Sequence, residues 1–170
     1  MSRYFPHTAY AEDQPLAKTI LTTHIETRAI ATGTIVGGAI YGAKDAMQRI
    51  RKSKPAPSLT VPRSHVFLRY AGSSTLWTLG FVSVGLVGRF WGKEEIEWKD
   101  RSWRLLENKG QLAVDDWTYP AMAAGLAATA FLKRPVGWVA MVGSVGTGSV
   151  VGMLGYMGWR HGLHRGKFED

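Results

Sequence analysis

Charged and apolar positions are segregated in blocks along this chain. Four stretches hold no Lys, Arg, Asp or Glu: Ala29 to Ala43, Tyr70 to Gly88, Trp117 to Leu132 and Pro135 to Trp159, of 15, 19, 16 and 25 residues. All 21 basic and 13 acidic residues lie outside them. Such partitioning is expected where lipid is the solvent for part of a chain. A helix crossing the hydrocarbon core needs about 20 apolar residues, with a range of roughly 17–25. The second and fourth stretches meet that length. The first and third are short, and span if Arg28, Lys44 and Lys133 snorkel toward headgroups or the bilayer thins locally. The competing reading is a soluble helical domain with two very apolar core helices.

The polar segments between these blocks predict the remaining elements. Residues 1–15, with Pro6 and Pro15, read as an irregular surface segment, and Pro15 suits the first turn of a helix. No proline interrupts Leu16 to Arg51, which predicts one long helix with its apolar section in the middle. "KSKPAPSLTVP", 52–62, ends it. A second helix is predicted from Ser64 to Trp91. In the polar segment 92–117, Ile96, Trp103 and Leu106 recur at helical offsets, so a short amphipathic helix lies there, at a membrane surface or against a partner. Asp115 and Asp116 are placed to cap the next helix. "LKRPVG", 132–137, turns the last two spans into an antiparallel hairpin. The expected fold is all-α: residues 16–170 form one helical membrane domain, a bundle of about four transmembrane helices near 29–43, 70–88, 117–132 and 135–159.

The glycine pattern changes the picture most. "GTIVGGAIYG", 33–42, places Gly33 with Gly37 and Gly38 with Gly42 at helical i, i+4 spacing. Glycine costs about 1 kcal/mol relative to alanine in a soluble helix. In lipid, apolar burial does not drive helices together, and small residues at this spacing let backbones approach closely. Ala29 extends the first stripe. Ser144, Gly148 and Gly152 form another in the last span, with Gly158, Gly162 and Gly166 continuing beyond it. Ala121 with Gly125 and Ala124 with Ala128 serve the third span. Gly88 with Gly92, near Gly80 and Gly85, serve the second. The packing residues expected are therefore Gly33, Gly37, Gly38, Gly42, Gly125, Ser144, Gly148 and Gly152.

Charge adds an orientation. With four spans, the N-terminal tail, the 89–116 loop and the C-terminal tail share one side, with 12 basic and 12 acidic residues. The 44–69 and 133–134 loops hold 9 basic residues against one acid, Asp45. The formal charge of +8 thus sits on one face. The positive-inside rule, by raw count, favours the other orientation; the concentrated, uncompensated 44–69 side is read as the inside. Lys44, Arg49, Arg51, Lys52, Lys133 and Arg134 read as phospholipid-headgroup anchors, with cardiolipin a natural partner. Beside a span, "KDAMQRIRKSK" reads better this way than as a nucleic-acid site. Trp91, Trp117 and Trp159 fall at span edges, as interfacial tryptophan does.

Candidate chemistry is sparse. With no cysteine, disulfides, thiolate metal sites and cysteine nucleophiles are excluded. "GSVGTGSVVG", 143–152, resembles a dinucleotide turn only superficially, since the spacing is wrong and no ribose-binding acid follows. His161 and His164 stand at i, i+3 without a third ligand nearby. No ionisable residue lies inside a predicted span, which disfavours proton or ion transport by this chain. The N-terminus lacks the apolar run of a secretory signal, and Glu12 and Asp13 make a poor transit peptide, so targeting is expected to reside within the chain. No catalytic residue, cofactor or metal is expected.

The glycine-striped spans, the basic first loop and "DRSWRLLENKGQLAVDDWTYPAMAAG", 100–125, resemble fungal accessory membrane subunits of mitochondrial respiratory complex I of the NUXM type. The resemblance covers most of the chain after residue 20, and the 100–125 segment is its more specific part. The glycine pattern alone is also similar to the Tim family of inner-membrane protein translocases, although this middle loop is longer and more charged. The first resemblance implies a supernumerary, non-catalytic subunit in the mitochondrial inner membrane, without a redox centre, partnered by other membrane-arm subunits and phospholipid. The alternative is a translocase or carrier component, in which Thr32, Thr34, Ser73, Ser74, Thr75, Thr78 and Ser83 line a polar cavity. An enzyme is a distant third.

Overall fold

A computed structural model describes residues 4–51, 62–131 and 136–163. Of these, 87% are helical and none is in a strand. Five α-helices follow in order: α1 Ala17–Ile50, α2 Arg63–Phe90, α3 Glu95–Glu107, α4 Lys109–Ala128 and α5 Trp138–Gly158. A π-turn, Trp159–Leu163, continues α5. The 52–61 break and the 132–135 turn, with Lys52, Lys133 and Arg134, lie outside the described residues.

Contacts fix the topology. Gly33 meets Thr75 and Gly37 meets Ala71, so α1 and α2 run antiparallel. Gly125 meets Ser144 and Gly152 meets Thr118, so α4 and α5 do the same. α5 also packs on α2 and α1 and sits centrally among the long helices. α3 closes one end against the start of α1.

Three local expectations are corrected. Pro15 does not open α1. Leu16, in the left-handed region at φ 55°, precedes it, and the helix begins at Ala17. The buried Gln14 side chain sets this turn by donating to the carbonyls of Pro6 at 2.8 Å and Pro15 at 3.2 Å. Asp115 and Asp116 do not cap a helix. α4 starts at Lys109, and the Asn108 side chain accepts from the Gln111 amide at 3.1 Å as its N-cap. Pro120 consequently stands inside α4, where it removes one main-chain N–H donor from the helix. Gly92 is not a packing residue: at φ +70° it makes the turn into α3, which a side chain would strain.

The four-span expectation is met in part. α2, and α5 with its π-turn, are long and apolar enough to cross a membrane. α1 and α4 are not, because their uncharged runs are shorter and charged residues such as Glu26, Arg28, Asp115 and Asp116 adjoin them.

The distribution of side chains by size is inverted relative to a water-soluble bundle. The interior of the long helices is small: Ala29, Ala31, Thr34, Ala71, Thr75, Ala140, Ser144 and Ser149 are buried, together with glycines. The large apolar groups point outward, with Trp77 83%, Phe81 81% and Val84 74% exposed on α2 alone. Among the described residues, an ordinary apolar core lies at the α3 end. There Ile20, Leu106 and Leu112 are buried, with Phe5 and Leu105 packed against them. The N-terminal segment is tied to this end, since the Trp103 indole Nε1 donates to the Thr8 carbonyl at 3.0 Å. α3 is amphipathic and carries i, i+4 pairs on its outer side, such as Arg104 with Asp100 at 3.0 Å. Lys93 Nζ donates to Glu97 at 2.9 Å, and this bond holds the exposed Glu97 carboxyl below its usual range.

Candidate functional site

The sequence offered two sets of candidates, packing glycines and basic headgroup anchors, and the structure treats them differently. Imagining a Cβ on each glycine measures how closely backbones approach. On Gly33 it would lie 2.6 Å from Thr75 Cα. On Gly37 it would lie 2.5 Å from the Tyr70 carbonyl and 2.7 Å from Ala71 Cα. Gly125 and Gly148 face the backbones of Ser144 and Ala121 too closely to admit a methyl group. Gly152 would meet the Trp117 carbonyl at 2.7 Å, and Ser144 is buried in the same seam. These residues make two tight antiparallel interfaces, α1 on α2 and α4 on α5.

Other small residues fall elsewhere. Gly38 meets only the Phe67 ring, at 3.3 Å. Gly42 is corrected: nothing lies within 4 Å of its Cβ position. Gly38, one residue on from Gly37 and so turned about 100° from it, looks past the α2 backbone to the Phe67 ring, and Gly42 lies a further turn along, beyond that ring's reach. Gly80, Gly85 and Gly88 likewise face open space, as do Gly158 and Gly162. Ala124 and Ala128 are exposed.

The residues that join the two hairpins were not singled out for packing in the sequence. Gly72 and Gly143 lie against each other, and a methyl group on either would strike the carbonyl of Val139 or Leu68 respectively. Gly146 admits the hydroxyl of Thr34 from α1. Thr34 Oγ1 and Thr75 Oγ1 share a hydrogen bond at 3.1 Å in this buried centre. Spacing holds the missed signal: Gly143, Gly146 and Ser149 recur at three-residue intervals on α5, a second small face beside the Ser144 stripe.

At the α3 end, a second feature escaped sequence reading. Asp115 is buried in α4 and faces α1. Arg28 Nη2 donates to its Oδ1 at 2.6 Å, and His24 Nδ1 lies 2.7 Å from its Oδ2. This carboxylate therefore clamps α4 to α1 across 91 residues of sequence. Desolvation of the acid is offset by two partners rather than by water.

At the opposite end, Lys44 Nζ donates to the Tyr70 hydroxyl at 3.0 Å and stands 5.0 Å from that ring's centroid. Arg49 pairs with Asp45 at 2.6 Å, and Arg51 is exposed at the helix terminus. Aromatic rings gather at both ends: Tyr41, Phe67 and Tyr70 here, and Trp117, Tyr156 and Trp159 at the α3 end. Of the hydroxyls suggested as a cavity lining, those of Thr32, Thr34, Thr75, Thr78 and Ser83 have other partners. Thr32 donates to the Arg28 carbonyl and Thr78 to the Ser74 carbonyl, both at 2.9 Å, while Thr34 and Thr75 bond each other. Among the described residues, no group of three His, Asp or Glu side chains is placed to hold a metal. His161 is exposed on the π-turn, and His164 lies outside the described residues.

No protein-family model matches this chain, and no curated protein matches it.

Proposed function

We propose that this chain is a non-catalytic accessory subunit of mitochondrial NADH:ubiquinone oxidoreductase. In this reading it lies in the inner membrane as a multi-pass bundle, and it stabilises or helps assemble the membrane arm by helix and lipid packing. The observation that carries the membrane part is the inversion of size. Only 17% of the most apolar window of α2, and 33% of that of the α5 helix, is buried within the protein. The core helix of a soluble domain would be mostly enclosed, and a monomer in water rarely exposes such a continuous apolar surface. Surrounded by lipid, the same surface costs nothing, and close-packed glycine seams supply cohesion.

α1 and α4 complete four crossings. Their uncharged runs extend about 22–24 Å at 1.5 Å per residue, short of a core of about 30 Å. Arg28 and Lys44 bracket the α1 run, one in the Asp115 clamp and the other on Tyr70, at levels suited to headgroups. Aromatic girdles at both ends fit the same levels. The respiratory assignment rests on the resemblance of residues 100–125 together with glycine seams suited to helix packing. The basic 44–69 side would meet anionic phospholipid, cardiolipin included. A translocase or carrier role is less favoured, because the hydroxyls of Thr32 and Thr78 satisfy helix carbonyls and those of Thr34 and Thr75 each other.

Native gel electrophoresis of detergent-solubilised membranes tests the assignment. The chain is expected to co-migrate with NADH dehydrogenase activity, and its loss to weaken assembly of that complex. Co-migration with import machinery would overturn the respiratory assignment. Extraction by alkaline carbonate would overturn the membrane reading itself.

A further inference from the structure

Tryptophan marks the ends of the uncharged runs in this chain, with one exception. Trp91, Trp117, Trp138 and Trp159 stand at a run's end or within three residues of it, and Trp98 and Trp103 belong to α3. Trp77 stands seven residues inside Tyr70 and eleven inside Gly88, on α2. At 1.5 Å per residue it is about 10 Å and about 16 Å from the two ends of its run, deep in a hydrocarbon core of about 30 Å. The side chain points away from the bundle and is 83% exposed. Out of water, an indole needs an acceptor for its Nε1–H. Among the described residues none supplies one, and Ser73, one turn away, does not accept from it.

The surroundings of Trp77 are shaped for a neighbour. At about 100° per residue, Ser73, Trp77, Gly80, Phe81, Val84 and Gly88 share one face about 120° wide. All are exposed. Gly80 and Gly88 lie one turn to either side of Val84, and nothing lies within 4 Å of a Cβ position on either. They form notches beside projecting rings. The face lies on the side of α2 away from Ala71 and Gly72, which meet α1 and α5, so covering it leaves the bundle undisturbed.

Acyl chains suit Phe81 and Val84 but offer Trp77 no acceptor at this depth. A second copy of the chain serves no better: a two-fold pair about this face sets Trp77 against Trp77, donor to donor. We infer that this face docks one transmembrane helix of another polypeptide, which approaches closely at Gly80 and presents a Ser, Thr, Asn or Gln side-chain oxygen to the Trp77 indole. The inference rests on the membrane reading above.

The test uses the full chain, tagged, in its own membranes, solubilised over a detergent series and resolved on native gels into assembled and free forms. Trp77→Phe keeps a ring and removes the N–H. One interhelical hydrogen bond in a membrane predicts about threefold to tenfold weaker association. Where half of the unaltered chain is assembled, about a quarter to a tenth of this variant should be. Gly80→Leu fills the notch and should leave less assembled still. Trp91→Phe, at the interface, should match the unaltered chain. Neither Trp77 nor Gly80 packs within the fold, so unfolding of the purified variants in bicelles should show no loss of stability, which separates lost docking from lost folding. Assembly of Trp77→Phe equal to that of the unaltered chain or of Trp91→Phe, or dimers of the purified chain that need Trp77, would each refute the inference. If the assembly carries NADH dehydrogenase activity and both variants stay in it, this inference alone fails. If the variants leave an assembly without that activity, the respiratory assignment fails and the docking face stands. Extraction of the chain by alkaline carbonate removes the membrane reading and this inference with it.

Discussion

Replacing Gly37 with alanine adds a single methyl group where α1 meets α2. That methyl carbon would lie 2.5 Å from the Tyr70 carbonyl and 2.7 Å from Ala71 Cα, against an ordinary contact distance of 3.4 Å or more. Both neighbours are backbone, so no rotamer change relieves the clash. The helices must separate by about 0.7–0.9 Å, and a gap of about 0.5–1 Å forfeits a quarter to a half of each contact along the seam. Overpacking of this kind costs about 1–3 kcal/mol. The higher helix propensity of alanine returns at most about 1 kcal/mol. With that full return the net loss is about 0–2 kcal/mol, and without it about 1–3 kcal/mol. Gly80→Ala is the matched control, since nothing lies within 4 Å of its Cβ position. It should be neutral, or stabilising by up to about 1 kcal/mol. Reversible unfolding in bicelles, followed by far-ultraviolet circular dichroism, reads both variants. Equal shifts, or a larger loss for Gly80→Ala, would refute the claim that backbone proximity at specific glycines holds this bundle together.

Further outcomes follow from other contacts. Asp115→Asn leaves Arg28 and His24 without their carboxylate; breaking a buried pair costs about 3–5 kcal/mol, and because Arg28 is 28% exposed the expected loss is about 1–3 kcal/mol, measured by the same unfolding assay. A double-mutant cycle with Arg28→Gln should show coupling, and additive losses would count against the clamp. Thr75→Val removes the bond to Thr34 and should cost about 0.6 kcal/mol, with a ceiling near 1.7 kcal/mol. Phe81→Asp disturbs no packed neighbour, since Phe81 is 81% exposed, yet should raise the cost of membrane insertion by about 3–4 kcal/mol in a translocon assay. Unchanged insertion would mean that this face does not meet lipid.

The difference between legible and hidden features is physical. Gly33 and Gly37 were readable because a helix repeats its own faces every 3.6 residues. The same rule could not separate them from Gly42, since a repeat names a stripe without saying which neighbour stands before it. Gly72 escaped for the complementary reason: it has no small residue four places away, and it matters only because Gly143 of α5 arrives opposite. The start of α4 was misplaced because the change from charged to apolar residues at Trp117 marks a change of surroundings, while the helix itself begins where Asn108 caps it.

By itself the sequence determined an all-helical chain, the extents of α1 and α2, the amphipathic α3, and charge gathered at the two ends of apolar shafts. Periodicity, proline breaks and the exclusion of charge are local or compositional, so they survive in one dimension. Tertiary structure decided which small faces meet, that α5 stands at the centre, and that His24 and Arg28 close on Asp115. It also left the Trp77 indole facing outward, without an acceptor among the described residues. Those features depend on the azimuth and crossing of helices distant in sequence, which are set by mutual contact among all of them at once.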